Sequence, residues 1–399
     1  MSDEHIRDYL ESKPAKFRVG AFWITALVLV LSGSMLFFLI LGQEVGLLER
    51  VRMRQQHAPG EALQLLEQAI ADAGGSYPDA QVKKCEILGI SQGWIEAERY
   101  YDTIESPEAS DQNVLIDLAA AAYQSRAAWL AEKALTAANH PGPEKERVLR
   151  MLLSVKYDLG EMGQALILCE ELAKLAPKDP EPWLISAGIH HGSEDFSPAL
   201  VAYQEALERS PPESQILRIR LHIADLSLHL GDLKTAEQHI QILRNLDPTA
   251  PPVGVVFAKL LRRKGRSAEA KAIAAEIVTR EPQFPAALLL RGQLRYEDGD
   301  YRAAAADFLA VLGINPFEYK AHYQLAQVYQ RLEMTEESKH HFEESRRLTD
   351  AMSQVLFLGQ QLDQNPTDRE LRLRLAEQHL ILGDTQSAEH WRRTAEGIR

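Results

Sequence analysis

The chain has 399 residues, 25% of them charged, and a formal net charge of −13, a size that suits two or three ordinary domains or one long array. An acid surplus of this kind repels phosphate backbones, so no nucleic-acid partner is expected. Two cysteines, Cys85 and Cys169, are too few for a disulfide framework and read as small buried apolar residues.

The N-terminal tail, residues 1–18, is followed by VGAFWITALVLVLSGSMLFFLIL at 19–41, 23 residues without a charge. At about 1.5 Å per residue such a helix reaches roughly 35 Å, enough to cross a hydrocarbon core of about 30 Å. The run is longer than the apolar part of a signal peptide, and GQEVGLLER after it offers no small-x-small cleavage site. An uncleaved single-pass transmembrane helix in the lipid bilayer is expected. Lys13, Lys16 and Arg18 precede the span directly, whereas the first base after it is Arg50. That asymmetry favours a cytoplasmic N-terminus with the bulk of the chain across the membrane. No Asn-x-Ser/Thr acceptor with a permitted middle residue occurs, which suits a bacterial periplasm better than a glycosylated ectodomain.

Residues 42–77 read as a linker and a partial first repeat. The stretch 61–74 has the periodicity of a second helix, and what precedes it is either its first helix or linker. From there the chain divides into eight frames beginning at 78, 112, 146, 180, 217, 251, 285 and 319. Each step is 34 residues except one of 37, where residues 214–216 are extra. Every frame holds two runs of apolar residues at three- and four-residue spacing, separated by a short turn that is often Gly-Asp. Such a frame predicts a helix, a tight turn and an antiparallel helix. A small residue recurs at one place in the first run (Cys85, Ala119, Ala187, Ala224, Ala258, Gly292, Ala326) and at one place in the second (Ala97, Ala131, Ala165, Ala199, Ala236, Ala270, Ala304). Small side chains let helix axes approach closely. Pro248 and its counterparts stop the second helix. After 352 the register slips. Residues 336–363 read as one helix prolonged past its usual end and stopped near Pro366, so that 353–368 is extended helix and linker, and a last, capping unit occupies 369–399. There Arg392 stands where an apolar residue is usual, which suits an end cap with no neighbour to pack against.

The 34-residue spacing of small residue, Gly, Ala, aromatic and Pro resembles the tetratricopeptide repeat family. The resemblance covers residues 78–352 and is clearest where Gly292, Gly299, Asp300, Tyr301, Ala304, Phe308 and Pro316 stand on the family's positions. It implies an all-α fold, a right-handed superhelical solenoid of helix-turn-helix repeats behind the transmembrane helix. It also implies a concave groove, lined by the first helices, that takes a protein partner as a peptide or helix. Carried over, one row of groove positions is Val82, Ile116, Arg150, Leu184, Leu221, Val255, Leu289, Tyr323 and Leu373. The row seven residues later holds Tyr123, Tyr157, His191, Leu228, Arg262 and Tyr296. The Lys and Asn clamp with which some members hold a terminal carboxylate is missing: Val82 and Glu86, Ile116 and Ala120, and Arg150 and Ser154 stand at the matching positions. Chaperone tails are therefore not expected.

No catalytic, cofactor or metal spacing emerges. His190–His191 and His340–His341 are adjacent pairs, which point to different sides of a helix. There is no His-Glu-x-x-His, phosphate loop or Cys-x-x-Cys. The basic run at 262–266 reads as a solvated helix end. The expectation is a non-enzymatic, membrane-tethered scaffold acting in assembly of an envelope complex, with a self-associating structural organiser as the alternative.

Overall fold

The structure, a computed structural model, describes residues 46–365 and 367–396. The transmembrane helix expected at 19–41 lies outside the described residues. Among those described, no helix is long and apolar enough to cross a membrane. All regular structure described is helical and falls into two compact units that meet in sequence between Ser110 and Asp111.

The first unit holds α1 (Leu47–Gln55), α2 (Pro59–Asp72), α3 (Pro78–Gln92), α4 (Trp94–Tyr101) and a 3₁₀ turn, Pro107–Ala109. The stretch before residue 61 is thus a helix, paired with α2 around Val51, Ala62, Leu66, Ala80 and Ile87. Both α2 and α3 open on proline, whose fixed φ and missing N–H suit a first helical position.

The second unit stacks eight hairpins: α5 (Gln112–Gln124) with α6 (Ala128–Ala138), α7 (Lys145–Asp158) with α8 (Met162–Leu175), α9 (Glu181–Gly192) with α10 (Phe196–Glu208), α11 (Glu213–Leu230) with α12 (Leu233–Leu246), α13 (Pro251–Arg263) with α14 (Ser267–Arg280), α15 (Pro285–Glu297) with α16 (Tyr301–Ile314), α17 (Tyr319–Arg331) with α18 (Thr335–Gln364), and α19 (Arg369–Ile381) with α20 (Thr385–Glu396). The Gly-Asp turns have a direct cause. Gly231, Gly299 and Gly383 take the left-handed conformation that ends the first helix. The following Asp232, Asp300 and Asp384 then accept a hydrogen bond from the second helix's Thr235, Ala303 and Ser387 N–H at 3.1, 3.3 and 2.9 Å. The recurring alanines of the second helices, Ala131 to Ala304, are fully buried. Ser338 takes that place in α18, and its hydroxyl donates to the Ala326 carbonyl at 2.9 Å, so the buried oxygen stays satisfied. At Gly292 a Cβ would lie 2.7 Å from the Phe308 ring, which is why the smallest residue sits opposite the largest.

Two departures from the 34-residue frame have structural outcomes. The three extra residues at 214–216 lengthen a helix rather than a loop: α11 has 18 residues, whereas α9 and α13 on either side have 12 and 13. The slip after 352 extends α18 to 30 residues. Its distal half forms a separate small core in which Leu358 and Leu362 meet Leu371, Leu375, Ala376 and Trp391.

Candidate functional site

Over the later frames the first helix α11 touches α13, α13 touches α15 and α15 touches α17, while no second helix makes a comparable contact with the next second helix. The stack therefore curves with its first helices on the inside. Polar side chains bridge neighbouring first helices there. Lys259 donates to Asp225 at 2.6 Å, Arg262 reaches Gln293 at 2.9 Å and Glu297 at 3.1 Å, and Arg331 donates to the Tyr296 hydroxyl at 3.4 Å.

The residues expected to line this face divide sharply. Val82, Ile116, Val255 and Leu228 are between 0 and 4% exposed, so the expectation that they form groove wall is corrected: they are core. Leu184, Leu221 and Leu289 are half-buried against the cores of their own hairpins, and Leu373 is half-buried as well. The cause is angular. Starting from Arg218, positions i+3 and i+10 lie about 60–80° to one side of the helix face marked by i, i+7 and i+11, at 100° per residue. The first pair, Leu221 and Leu228, turns toward the core, whereas Arg218, Asp225 and His229 are exposed. The inner face is thus rotated from the rows chosen on the family pattern.

The aromatic and charged candidates have separate fates. Tyr323 stands 45% exposed on α17, and Tyr296 lies tilted against Tyr301, ring centroids 5.5 Å apart, while accepting from Arg331. His191 is held among the rings of Phe196, Tyr203 and His222. Arg150 is occupied by three carboxylates, Glu146 at 2.7 Å, Asp179 at 2.5 Å and Glu181 at 2.7 Å. That site is locally acidic and offers nothing to an anionic ligand. The Tyr123 hydroxyl donates to the Asp158 carboxylate, and burial together with that bond pushes the phenol pKa well up.

Asp158 and the turn after it receive the C-terminal helices. Arg372, 1% exposed, donates from Nη1 to the Leu159 carbonyl at 2.8 Å, and His390 bonds the Asp158 carbonyl. The Asp363 carboxylate accepts from the Gly163 N–H at 3.0 and 3.1 Å. Trp391 lies so close to Gly160 that a Cβ there would be 1.8 Å from its ring. The last hairpin therefore has a neighbour, and the expectation of an end cap without one is corrected. Beneath this seam Lys156 bridges Glu132 at 2.5 Å and the buried Glu161 at 2.6 Å. Burial raises the Glu161 carboxyl pKa against the pull of Lys156. Two cavities flank the contact. One, of about 590 Å³, is lined by Tyr157, Gly188, Gly192, Val355, Gly359 and Trp391 among others. The other, of about 600 Å³, includes Tyr123, Trp129, His390 and Arg393. Tyr157, 48% exposed, thus faces the chain's own C-terminal helices rather than an open groove.

The inner face remains open over α11, α13, α15 and α17. Its exposed strip does not show in the run at 262–266 alone, because its charges are spread over four frames. Aligning positions i, i+7 and i+11 of each frame brings out Arg218, Lys259, Arg263, Lys320 and Arg331.

Residues 255–319 and 292–356 match the family model for the tetratricopeptide repeat. The crystal structure of a tetratricopeptide repeat protein from Parabacteroides merdae superposes with a TM-score of 0.53 at 17% identity, covering 62% of this chain and 98% of that one. The Cut9–Hcn1 hetero-tetramer of APC/C matches with a TM-score of 0.42 at 14% identity, covering 82% of this chain and 61% of that one. YrrB gives a TM-score of 0.37 at 16% identity, with coverages of 48% and 96%. No curated protein matches the chain. The Parabacteroides likeness shows a shared helical-repeat fold, and the residues from 255 to 356 are similar to tetratricopeptide repeats.

Proposed function

We propose that the chain is a membrane-tethered scaffold that holds a protein partner against the inner face of α11, α13, α15 and α17. The observation that carries this reading is Tyr323, a large ring left 45% exposed on α17 with its one ring contact among the described residues edge-on to Phe342. Exposed aromatic rings set among hydrogen-bonding side chains serve as anchors in protein interfaces. The uncharged stretch at 19–41 supports the tether, and the bases before it support a repeat region across the membrane from the N-terminus. Assembly of an envelope complex is the setting that this topology suits.

Tyr323→Ala should weaken capture of partners crosslinked to the full chain about ten- to a hundredfold, or roughly 1–3 kcal/mol, with the melting temperature nearly unchanged. A large loss of melting temperature with undiminished capture would reject the anchor. The tether is tested by protease added to intact spheroplasts, which should digest the repeats and spare the N-terminus; protected repeats would reverse the orientation.

A further inference from the structure

We infer that the open inner face binds an acidic, extended segment of its partner; this rests on the groove reading and names the chemistry of its ligand. On the exposed strip of α11, α13, α15 and α17, positions i, i+7 and i+11 carry five bases, Arg218, Lys259, Arg263, Lys320 and Arg331, against two acids, Asp225 and Glu297. Arg262 lies at the edge of the same strip. The surplus is local, because the chain as a whole carries −13. On the corresponding strip of α5, α7 and α9 there is no basic surplus, with one base, Arg147, against two acids, Asp158 and Glu181.

The two acids are already used. Asp225 is bonded to Lys259 and Glu297 to Arg262. Among the described residues, Arg218, Arg263, Lys320 and Arg331 have no carboxylate within ion-pairing distance, although Lys320 lies over the Tyr319 ring and Arg331 meets the Tyr296 hydroxyl. Four cations on one strip without counter-charges repel one another, and an anionic ligand relieves that repulsion. Arginine also keeps spare N–H donors in a fork that matches a carboxylate.

The shape of the strip favours a polypeptide. Four first helices packed at about 8–10 Å give a track of roughly 30 Å, which about nine residues of extended chain cover. Asp225 and Glu297 remain able to accept backbone N–H donors from such a chain. A phosphate backbone, unlike a peptide backbone, has no N–H donors to answer those two acids.

The probe is a fluorescein-labelled peptide of five Glu-Ser repeats, followed by anisotropy on the full chain in a neutral detergent. The comparison ligands are the matching Lys-Ser peptide and a ten-residue oligo-dT. The acidic peptide should bind most tightly. The affinity should fall roughly tenfold or more in the double variant Arg263→Glu with Arg331→Glu, and also between about 0.05 and 0.5 M salt. The control double variant, Lys234→Glu with Lys339→Glu on exposed second-helix positions, should bind as the parent does. Circular dichroism establishes that each variant is folded, and the single variants replace any double variant that is not. Tighter binding of oligo-dT, equal binding by the two double variants, or no binding of the acidic peptide would each overturn the inference. If the acidic peptide fails while Tyr323→Ala still weakens partner capture, the charge assignment alone falls; if both fail, so does the groove.

Discussion

Gly160 and Gly265 hold the same place in their frames, with φ of 77° and 76°, yet they meet different surroundings. A Cβ on Gly265 would have nothing within 4 Å, whereas one on Gly160 would run into Trp391. Gly265→Ala should therefore cost about 1–2 kcal/mol, the penalty of a left-handed alanine, and Gly160→Ala clearly more. Equal losses in urea unfolding would mean that Trp391 does not seat there in solution. Glu333 takes the same turn with φ of 60°. These positions also show what a sequence can disclose. A glycine required by backbone conformation repeats with the frame and is legible; a glycine required by a ring over 200 positions away is not. Another residue-scale consequence concerns His341. His322 donates from Nε2 toward the Pro316 carbonyl at 3.0 Å, which leaves its Nδ1 to accept from His341 Nδ1 at 2.9 Å. Burial, and then His322 and His340, lower the His341 pKa from 6.5 to about 4. The folded state therefore resists a proton that the unfolded chain accepts. The stability this group contributes is present above pH 6.5 and is lost as pH falls toward about 4. His341→Gln should flatten the melting temperature over that window relative to the parent; parallel curves would refute the assignment.

At the scale of elements, α18 departs most from the repeating hairpin pattern. A usual second helix would end near residue 348, but this one continues to Gln364 and delivers Asp363 to the first turn of α8. That helix has no cap from its own Glu161 side chain, so Asp363 supplies the carboxylate that the positive helix end favours. Asp363→Ala should destabilise by about 1 kcal/mol, and hydrogen exchange should quicken at the amides of residues 162–165. Unchanged exchange there would show that the cap is not formed in solution. The prolonged helix was readable from its unbroken periodicity between 336 and 363. Its target was not, because the Gly163–Asp363 contact spans 200 residues and leaves no mark in either local pattern. The 37-residue step was similarly visible as three extra residues, but only the structure puts them in the N-terminal turn of α11.

For the molecule as a whole, the hairpin stack was legible because turn glycines, buried alanines and helix-stopping prolines each answer a local demand that recurs. The candidate face was legible only in part. Burial of Val255 is decided by how its hairpin meets the next, a contact that no local pattern in the sequence marks. Tyr157 was displaced for another reason, since the chain's own C-terminal helices cover its side of the stack. What stays open is the face of α11, α13, α15 and α17, and the central claim is that a partner lies there. The direct measurement is in vivo photocrosslinking with a benzophenone amino acid at position 323 on that face and at position 309, where Leu309 is 46% exposed on the second helix α16. A discrete adduct from 323 and none from 309 is the predicted result. An adduct from 309 with none from 323 would place the partner on the outer surface and contradict the account.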